Sequence, residues 1–298
     1  MKHAVVFAGA LVLAACKPDL AGDDALVTST RLLAVRGEPA ETAPGATATY
    51  TAFIAVPGGD DYAGAVRYAF CDALKPPAEN AVVASACRDA STLTDVGTTN
   101  PVVAKTPADA CSTFGPVTRS TGFRTAAPDE TGGYYQPLRV DVPHVAPAFH
   151  LARLSCGAGQ AAADVATEFA ARYHANENPH ISGLNGTAAS RSVSLDALPS
   201  NARVTLTVHW AKADAEKYVS YDADSASLVD RRESMQLAWY VDGGALETES
   251  TSVAESDPAT SSSNVFFAPA SGEIHLWVVL RDARGGVDVL SRTLVVAR

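Results

Sequence analysis

The chain has 298 residues, with 23 Lys and Arg against 33 Asp and Glu and a formal net charge of -10. No basic stripe offsets this acidity, so nucleic acid and anionic membrane surfaces are poor partners, and the charge most simply serves solubility. The length is enough for two domains with their own cores.

The chain opens with Lys2-His3, an apolar run over residues 4–12, and then Leu13-Ala14-Ala15-Cys16. This is the layout of a secretory signal. A bilayer-spanning helix takes about 20 apolar residues, and here Lys17, Asp19, Asp23 and Asp24 follow at once. Leu-Ala-Ala-Cys resembles the lipobox of bacterial lipoproteins. The resemblance implies cleavage after residue 15 and acylation of Cys16, which several chains at about 0.8 kcal/mol per buried methylene would make a durable membrane anchor. Lys17 resembles the sorting pattern of lipoproteins sent to an outer membrane, with the body on the periplasmic or cell-surface face. The other reading is an ordinary cleaved signal with Cys16 as a disulfide partner or free thiol.

Apart from Cys16 the cysteines are Cys71, Cys87, Cys111 and Cys156. An even number in an exported chain argues for two disulfides, because that compartment is oxidising. Of the three connectivities, nearness in sequence favours 71 with 87 and 111 with 156. A metal site is not expected, since there is no C-x-x-C pair and no histidine at ligand spacing.

Residues 17–26 read as a short mobile polar tether. From residue 31, two β-type runs flank a turn at Pro44-Gly45, and the β-branched and aromatic content of 47–56 favours strand over helix. Residues 65–71 follow as a third strand, with Val66, Tyr68 and Phe70 on one face. Glu38-Pro39-Ala40 leading through Pro44-Gly45 into the next strand resembles the opening of a bacterial immunoglobulin-like domain, which implies a β-sandwich. Residues 72–130 read as irregular, rich in Pro, Ala, Thr and Asp, and held by their cysteines. Strands resume at 134–142 and 149–156. Over 160–175 the spacing of Val165, Phe169 and Tyr173 is helical, whereas Phe169, Ala171 and Tyr173 alternate. The expectation is an Ala-rich turn and a last strand, ending at the break Asn176-Glu177-Asn178-Pro179.

Beyond that break, residues 203–210 alternate, with Val204, Leu206, Val208 and Trp210 on one side. Residues 235–241 run into the turn Asp242-Gly243-Gly244, and 274–280 and 287–296 are joined by a Gly-rich hairpin over 281–286. The order resembles an immunoglobulin-like or PKD-like sandwich, with Trp239 as the core aromatic of the third strand and Trp277 on the penultimate one. All three tryptophans lie in this half, which has no Cys, so its core is expected to rest on aromatic packing.

Sites of chemistry are sparse. Cys156-Gly157-Ala158-Gly159-Gln160-Ala161-Ala162 contains the G-x-G-x-x-A skeleton of a dinucleotide loop, but it lacks a surrounding βαβ unit, and Glu177, at roughly the right spacing, sits in a turn. Leu280-Arg281-Asp282 lacks the downstream Asn of a kinase loop, position 287 being Val, and reads as a hairpin. His144, His150, His174, His180, His209 and His275 are scattered; His209 and His275, opposite in parity to their apolar neighbours, are expected at the surface. Asp222 and Asp224, with Asp214 and Glu216 nearby, are the candidate calcium ligands, and Gly58-Gly59-Asp60-Asp61-Tyr62 is a lesser one. Residues 250–264 read as a flexible Ser/Thr/Glu-rich loop.

The expectation is therefore an all-β chain with two immunoglobulin-like β-sandwiches in tandem, the first carrying a long disulfide-tied insertion. Its parts are a signal peptide (1–15), a lipidated tether (16–28), a first sandwich (29–176, insertion about 72–130) and a second (177–298). The expected role is a non-catalytic, lipid-anchored envelope protein acting in structure, adhesion or assembly, with the membrane as partner through the lipid on Cys16, an envelope protein as candidate partner, and neither cofactor nor metal. The alternative is a lipoprotein that binds a small ligand or carbohydrate, which exposed Tyr134, Tyr135, Tyr218 and Tyr221 converging on one loop end would support. A hydrolase needs an acid, a base and a nucleophile from distant segments to meet in one cleft.

Overall fold

The computed structural model describes residues 24–74, 76, 79, 81–113, 130–159 and 161–297. Cys16, the signal segment and residues 114–129 of the insertion lie outside the described residues. Among the described residues no helix is long and apolar enough to cross a membrane.

The first sandwich faces a three-stranded sheet against a five-stranded one. Strands β1 (Arg31–Glu38), β3 (Thr47–Ala55) and β6 (Val102–Lys105) pair in the order β1-β3-β6. Opposite them lie β2 (Glu41–Thr42), β4 (Arg67–Cys71), β5 (Leu93–Gly97), β7 (Gly133–Asp141) and β8 (Ala148–Ser155), in the order β2-β8-β7-β4-β5. Pro39, which has no N–H for a ladder, stands where the chain leaves β1 for β2, and β2 then pairs parallel to β8. Val66, Tyr68 and Phe70 share the core with Tyr50, Leu138 and Val140.

The stretch read as irregular corrects in part, because β5 and β6 both come from it and each completes a sheet. Strands of five and four residues with exposed alternate positions are too short to show a period of two in sequence. Cys71 is bonded to Cys87 and Cys111 to Cys156, with Cα separations of 5.4 and 5.5 Å. The second bridge ties the short helix α1 (Ala110–Thr113) to the residue that follows β8.

The second sandwich repeats the scheme. Strands β9 (Ile181–Ala188), β10 (Arg191–Val193), β11 (Arg203–Trp210), β15 (Ala245–Leu246) and β17 (Ser261–Phe267) form one sheet, ordered β10-β9-β11-β17-β15. Strands β14 (Met235–Val241), β16 (Ser250–Val253), β18 (Gly272–Arg281) and β19 (Val287–Val296) form the other, ordered β16-β14-β18-β19. A separate hairpin, β12 (Lys217–Asp222) with β13 (Ser227–Arg232), is inserted between β11 and β14. Residues 250–264, read as a flexible loop, thus supply β16 and the start of β17; Ser and Thr tolerate a pleated edge. The inward residues of β11 and β14 pack around Trp239, which is wholly buried and donates from Nε1 to Thr251 Oγ1 at 3.0 Å.

In both sandwiches the first long strand pairs with the second, and the second pairs on its other side with a later strand, β6 or β17. The third pairs with the penultimate, and the penultimate with the last. This Greek-key order makes each an immunoglobulin-like β-sandwich.

Two further expectations are corrected. Residues 163–172 are a helix, α2 (Ala163–Arg172), not a strand. One edge of β8 pairs with β7 and the other is already occupied by β2, so a strand there would find no partner, whereas the Phe169-Tyr173 spacing lets a helix bury Phe169 against Val219. Trp277 does not join the second core. It lies on the outer face of β18 with Val279 and packs, with Val287 of β19, against Leu33, Ala34 and Ala55 of the first sandwich. A β-bulge near Leu33 turns that side chain and Ala34 toward this contact. The last residues of the stretch read as a tether are docked too, with Val27 N–H donating to Val241 O at 2.7 Å and Val241 N–H to Ala25 O at 2.9 Å.

Candidate functional site at the joint between the sandwiches

The densest polar constellation among the described residues lies where the two sandwiches meet. Parallel pairing of β2 with β8 sets Glu41 beside Arg153, both buried. Arg153 Nε donates to Glu41 Oε2 at 2.9 Å, Nη1 to Tyr135 Oη at 2.8 Å and Nη2 to Thr131 O at 2.8 Å. Glu41 also accepts from Ser155 Oγ, from the Asn176 amide and from the Tyr173 hydroxyl. Burial alone would raise the Glu41 carboxyl, but Arg153 and these three donors together hold it below the usual range. A Cβ on Gly133 would stand 2.5 Å from the Arg153 guanidinium carbon, so glycine is what lets the arginine lie across β7.

From Asn176 the network crosses to the second sandwich. Its backbone N–H serves Glu41 while its side-chain amide donates to Asp282 Oδ2 at 3.2 Å. Asp282 sits in the β18–β19 hairpin and accepts the amides of Arg284 and Gly286 at 2.9 and 2.8 Å, the turn-favouring role expected of it. Arg284, also buried, donates to Glu233 at 2.6 Å, to Glu216 at 2.9 Å and to His174 O at 2.9 Å, and its guanidinium lies 4.8 Å from the centre of the Tyr218 ring. Two carboxylates thus converge on the guanidinium and a third, Asp282, on the backbone amide of the same residue. Burial raises Asp282 and Glu216 and pushes Glu233 up to about 8, so Glu233 keeps its proton at neutral pH.

Asn178 repeats the clasp, donating to Gly37 O at 2.7 Å and accepting from the Val287 amide at 2.9 Å. Arg36 pairs with Asp288 at 3.3 Å, and Arg281 donates to Leu33 O at 2.9 Å. The turn Asn176-Glu177-Asn178-Pro179, with Asn176 and Pro179 buried and Glu177 exposed, therefore fastens the two sandwiches to each other. Sequence reasoning missed Glu41, Arg153 and Arg284. A single charge carries no local mark of burial, and the ion-pair partners of these three lie more than 50 residues away.

The other candidates resolve differently. His275 is not at the surface: its Nδ1 lies 2.7 Å from Asp242 and its ring lies against Gly59. Asp242 also accepts the Gly58 amide, so the glycine loop 58–62 docks on the second sandwich. His209 meets Asn185 at 3.2 Å. Asp222 accepts from the Asp224 amide and the Ser225 hydroxyl at 2.9 Å each and closes the β12–β13 turn; Asp214 bonds the Ala211 amide and Glu216 faces Arg284. Among the described residues no three His, Cys, Asp or Glu could hold a metal ion. Tyr135 and Tyr218 stack on Arg153 and Arg284, Tyr218 also lines an open cleft beside Lys217, and Tyr221 is buried, so the four tyrosines do not converge on one open loop end. The glycine loop at 157–159 leads β8 into α2, but β9 then pairs antiparallel in a different sheet, and no βαβ unit exists.

No family model and no curated protein matches this chain. Among solved structures it is similar to the D00-D0 domain of intimin, at 8% identity over 91% of this chain and 99% of that one, with a TM-score of 0.26. It is likewise similar to the Clostridium thermocellum CbhA fibronectin(III)-like modules, at 10% identity over 88% and 94% of the two chains with a TM-score of 0.24. The adhesin InvE of Yersinia pseudotuberculosis is 11% identical over 89% of this chain and 58% of that one, with a TM-score of 0.19. The immunoglobulin-like character rests on the strand order of each sandwich.

Proposed function

We propose that this chain is a lipid-anchored protein of the bacterial envelope whose two sandwiches, fastened at the joint, act as one stiff non-catalytic unit in structure, adhesion or assembly. The observation that carries the reading is the joint itself. Its charges are engaged by one another and by backbone groups, closed beneath the packing of Trp277 and Phe169, an arrangement that holds two modules in register. Relative motion is the default between domains of one chain unless their contact is apolar, and here Val27, Leu33, Ala34 and Ala55 pack with Trp277, Val279 and Val287. Residues 25–27 dock on β14, and Val27 packs with Leu33 and Ala34 of the first sandwich, so a lipid on Cys16 would tether the two sandwiches as one body.

Membrane fractionation of a Cys16→Ala variant tests the anchor. The variant is expected to leave the membrane pellet for the soluble fraction, and a variant that stays in the pellet refutes it. Cross-linking in intact cells followed by pull-down then names the envelope partner.

A further inference from the structure

Helix α2, the β12–β13 hairpin and the turn at residues 254–256 enclose an open cleft of about 960 Å³. In an acidic chain this cleft is lined by Arg172, Lys217, Arg231 and Arg232, together with His174, against the two carboxylates of Asp230 and Glu255. The hairpin register sets Lys217 directly opposite Arg232, a like-charge cross-strand pair that weakens a two-stranded ladder. Arg232 is held by the carbonyls of Glu255 and Asp257. Arg172 pairs with Glu168 and Asp230, and Arg231 with Glu255 at 3.3 Å. Lys217 is exposed and has no ion-pair partner among the described residues.

We propose that this cleft binds a small molecule bearing a phosphate or sulfate group. Lys217 supplies an unpaired charge, Arg232 one already positioned by backbone carbonyls. The Asp230 and Glu255 side chains are 81% and 41% exposed, and ion pairs so open to water contribute only about 0–1 kcal/mol, so Arg172 and Arg231 can exchange them for a ligand oxyanion. The cleft lies within the range of about 300–1,000 Å³ usual for small-molecule sites, far larger than a bare oxyanion, which leaves space for an organic moiety carrying it. The cleft shares His174, Tyr218 and Val219 with the joint, but Lys217 and Arg231 take no part in the joint's hydrogen bonds, so loss of binding in their variants would leave the stiff two-sandwich unit standing.

Isothermal titration of the full-length protein in detergent with inorganic phosphate, with sulfate and with glucose 6-phosphate, in chloride buffer of matched ionic strength, tests the proposal. Saturable binding is expected, weakened about tenfold or more in Lys217→Ala and in Arg231→Ala, as for loss of a charge-assisted hydrogen bond. The melting temperature of both variants in chloride should be unchanged, since both side chains are exposed. Tighter binding of glucose 6-phosphate than of phosphate supports an ester as ligand, and equal affinity supports the free anion. Phosphate and sulfate also stabilise folded proteins by exclusion from their surfaces, so the difference between wild type and variants is decisive. No saturable heat with any of the three probes, or equal binding by the variants, overturns the proposal.

Discussion

Replacing Arg153 by Met removes the counter-charge of a carboxylate that folding has taken out of water. In the native joint Arg153 donates to Glu41, Tyr135 and Thr131, and the variant leaves Glu41 with the Ser155, Asn176 and Tyr173 donors alone. Breaking a buried pair by removing one partner costs about 3–5 kcal/mol, and the three surviving hydrogen bonds place this case at about 3. At about 2–4 °C per kcal/mol for a unit of 150–250 residues, the melting temperature should fall by roughly 6–12 °C. Calorimetry and urea unfolding of Arg153→Met, of Glu41→Gln and of the double variant measure it. The double variant should recover at least half of the loss, because neutral Gln no longer needs a cation. A loss below about 1 kcal/mol in Arg153→Met, or energies that simply add in the double variant, would refute the reasoning.

Glu233 carries a pH dependence whose sign follows from its environment. Its folded value of about 8 lies above the ordinary 4.5, so between those limits the folded protein binds the proton that the unfolded chain has released, and stability falls as pH rises through that window. Stability curves of Glu233→Gln measured from pH 5 to 9 should be flatter than wild type, and an unchanged slope counts against a buried protonated Glu233. Trp277→Ala opens the contact between the sandwiches, and loss of a buried Trp costs about 3–5 kcal/mol. Because Trp277 lies between the sandwiches and outside either core, calorimetry should show two separated transitions in place of one cooperative event, and a single transition merely shifted down would place the side chain in a core instead.

Much of the fold was legible. The bounds of β11, β14 and β19 coincide with the runs at 203–210, 235–241 and 287–296; in β11 and β14 every second residue is buried, so the period of two survives in the residue order. β18 showed a further signal that went unread: Leu276-Trp277-Val278-Val279-Leu280 is a continuous apolar run, as a strand buried on both faces requires, and its second face is the one against the first sandwich. The helix at 163–172 was not legible, since its apolar residues fit both periods and the choice fell to whether a strand edge stood open beside β8.

Residue order by itself determined the β class, the turns, the inward faces of the long strands, and the short apolar segment ending at Cys16, all of which depend on neighbours within a few positions. Only the tertiary structure decided that Glu41, Arg153, Asn176, Asp282 and Arg284 form one buried network, that Trp277 belongs to the contact between sandwiches, and that the turn at 176–179 is a fastening. Those assignments are set by burial and by partners from the far side of the chain. A charge isolated in sequence looks solvated until the fold removes its water.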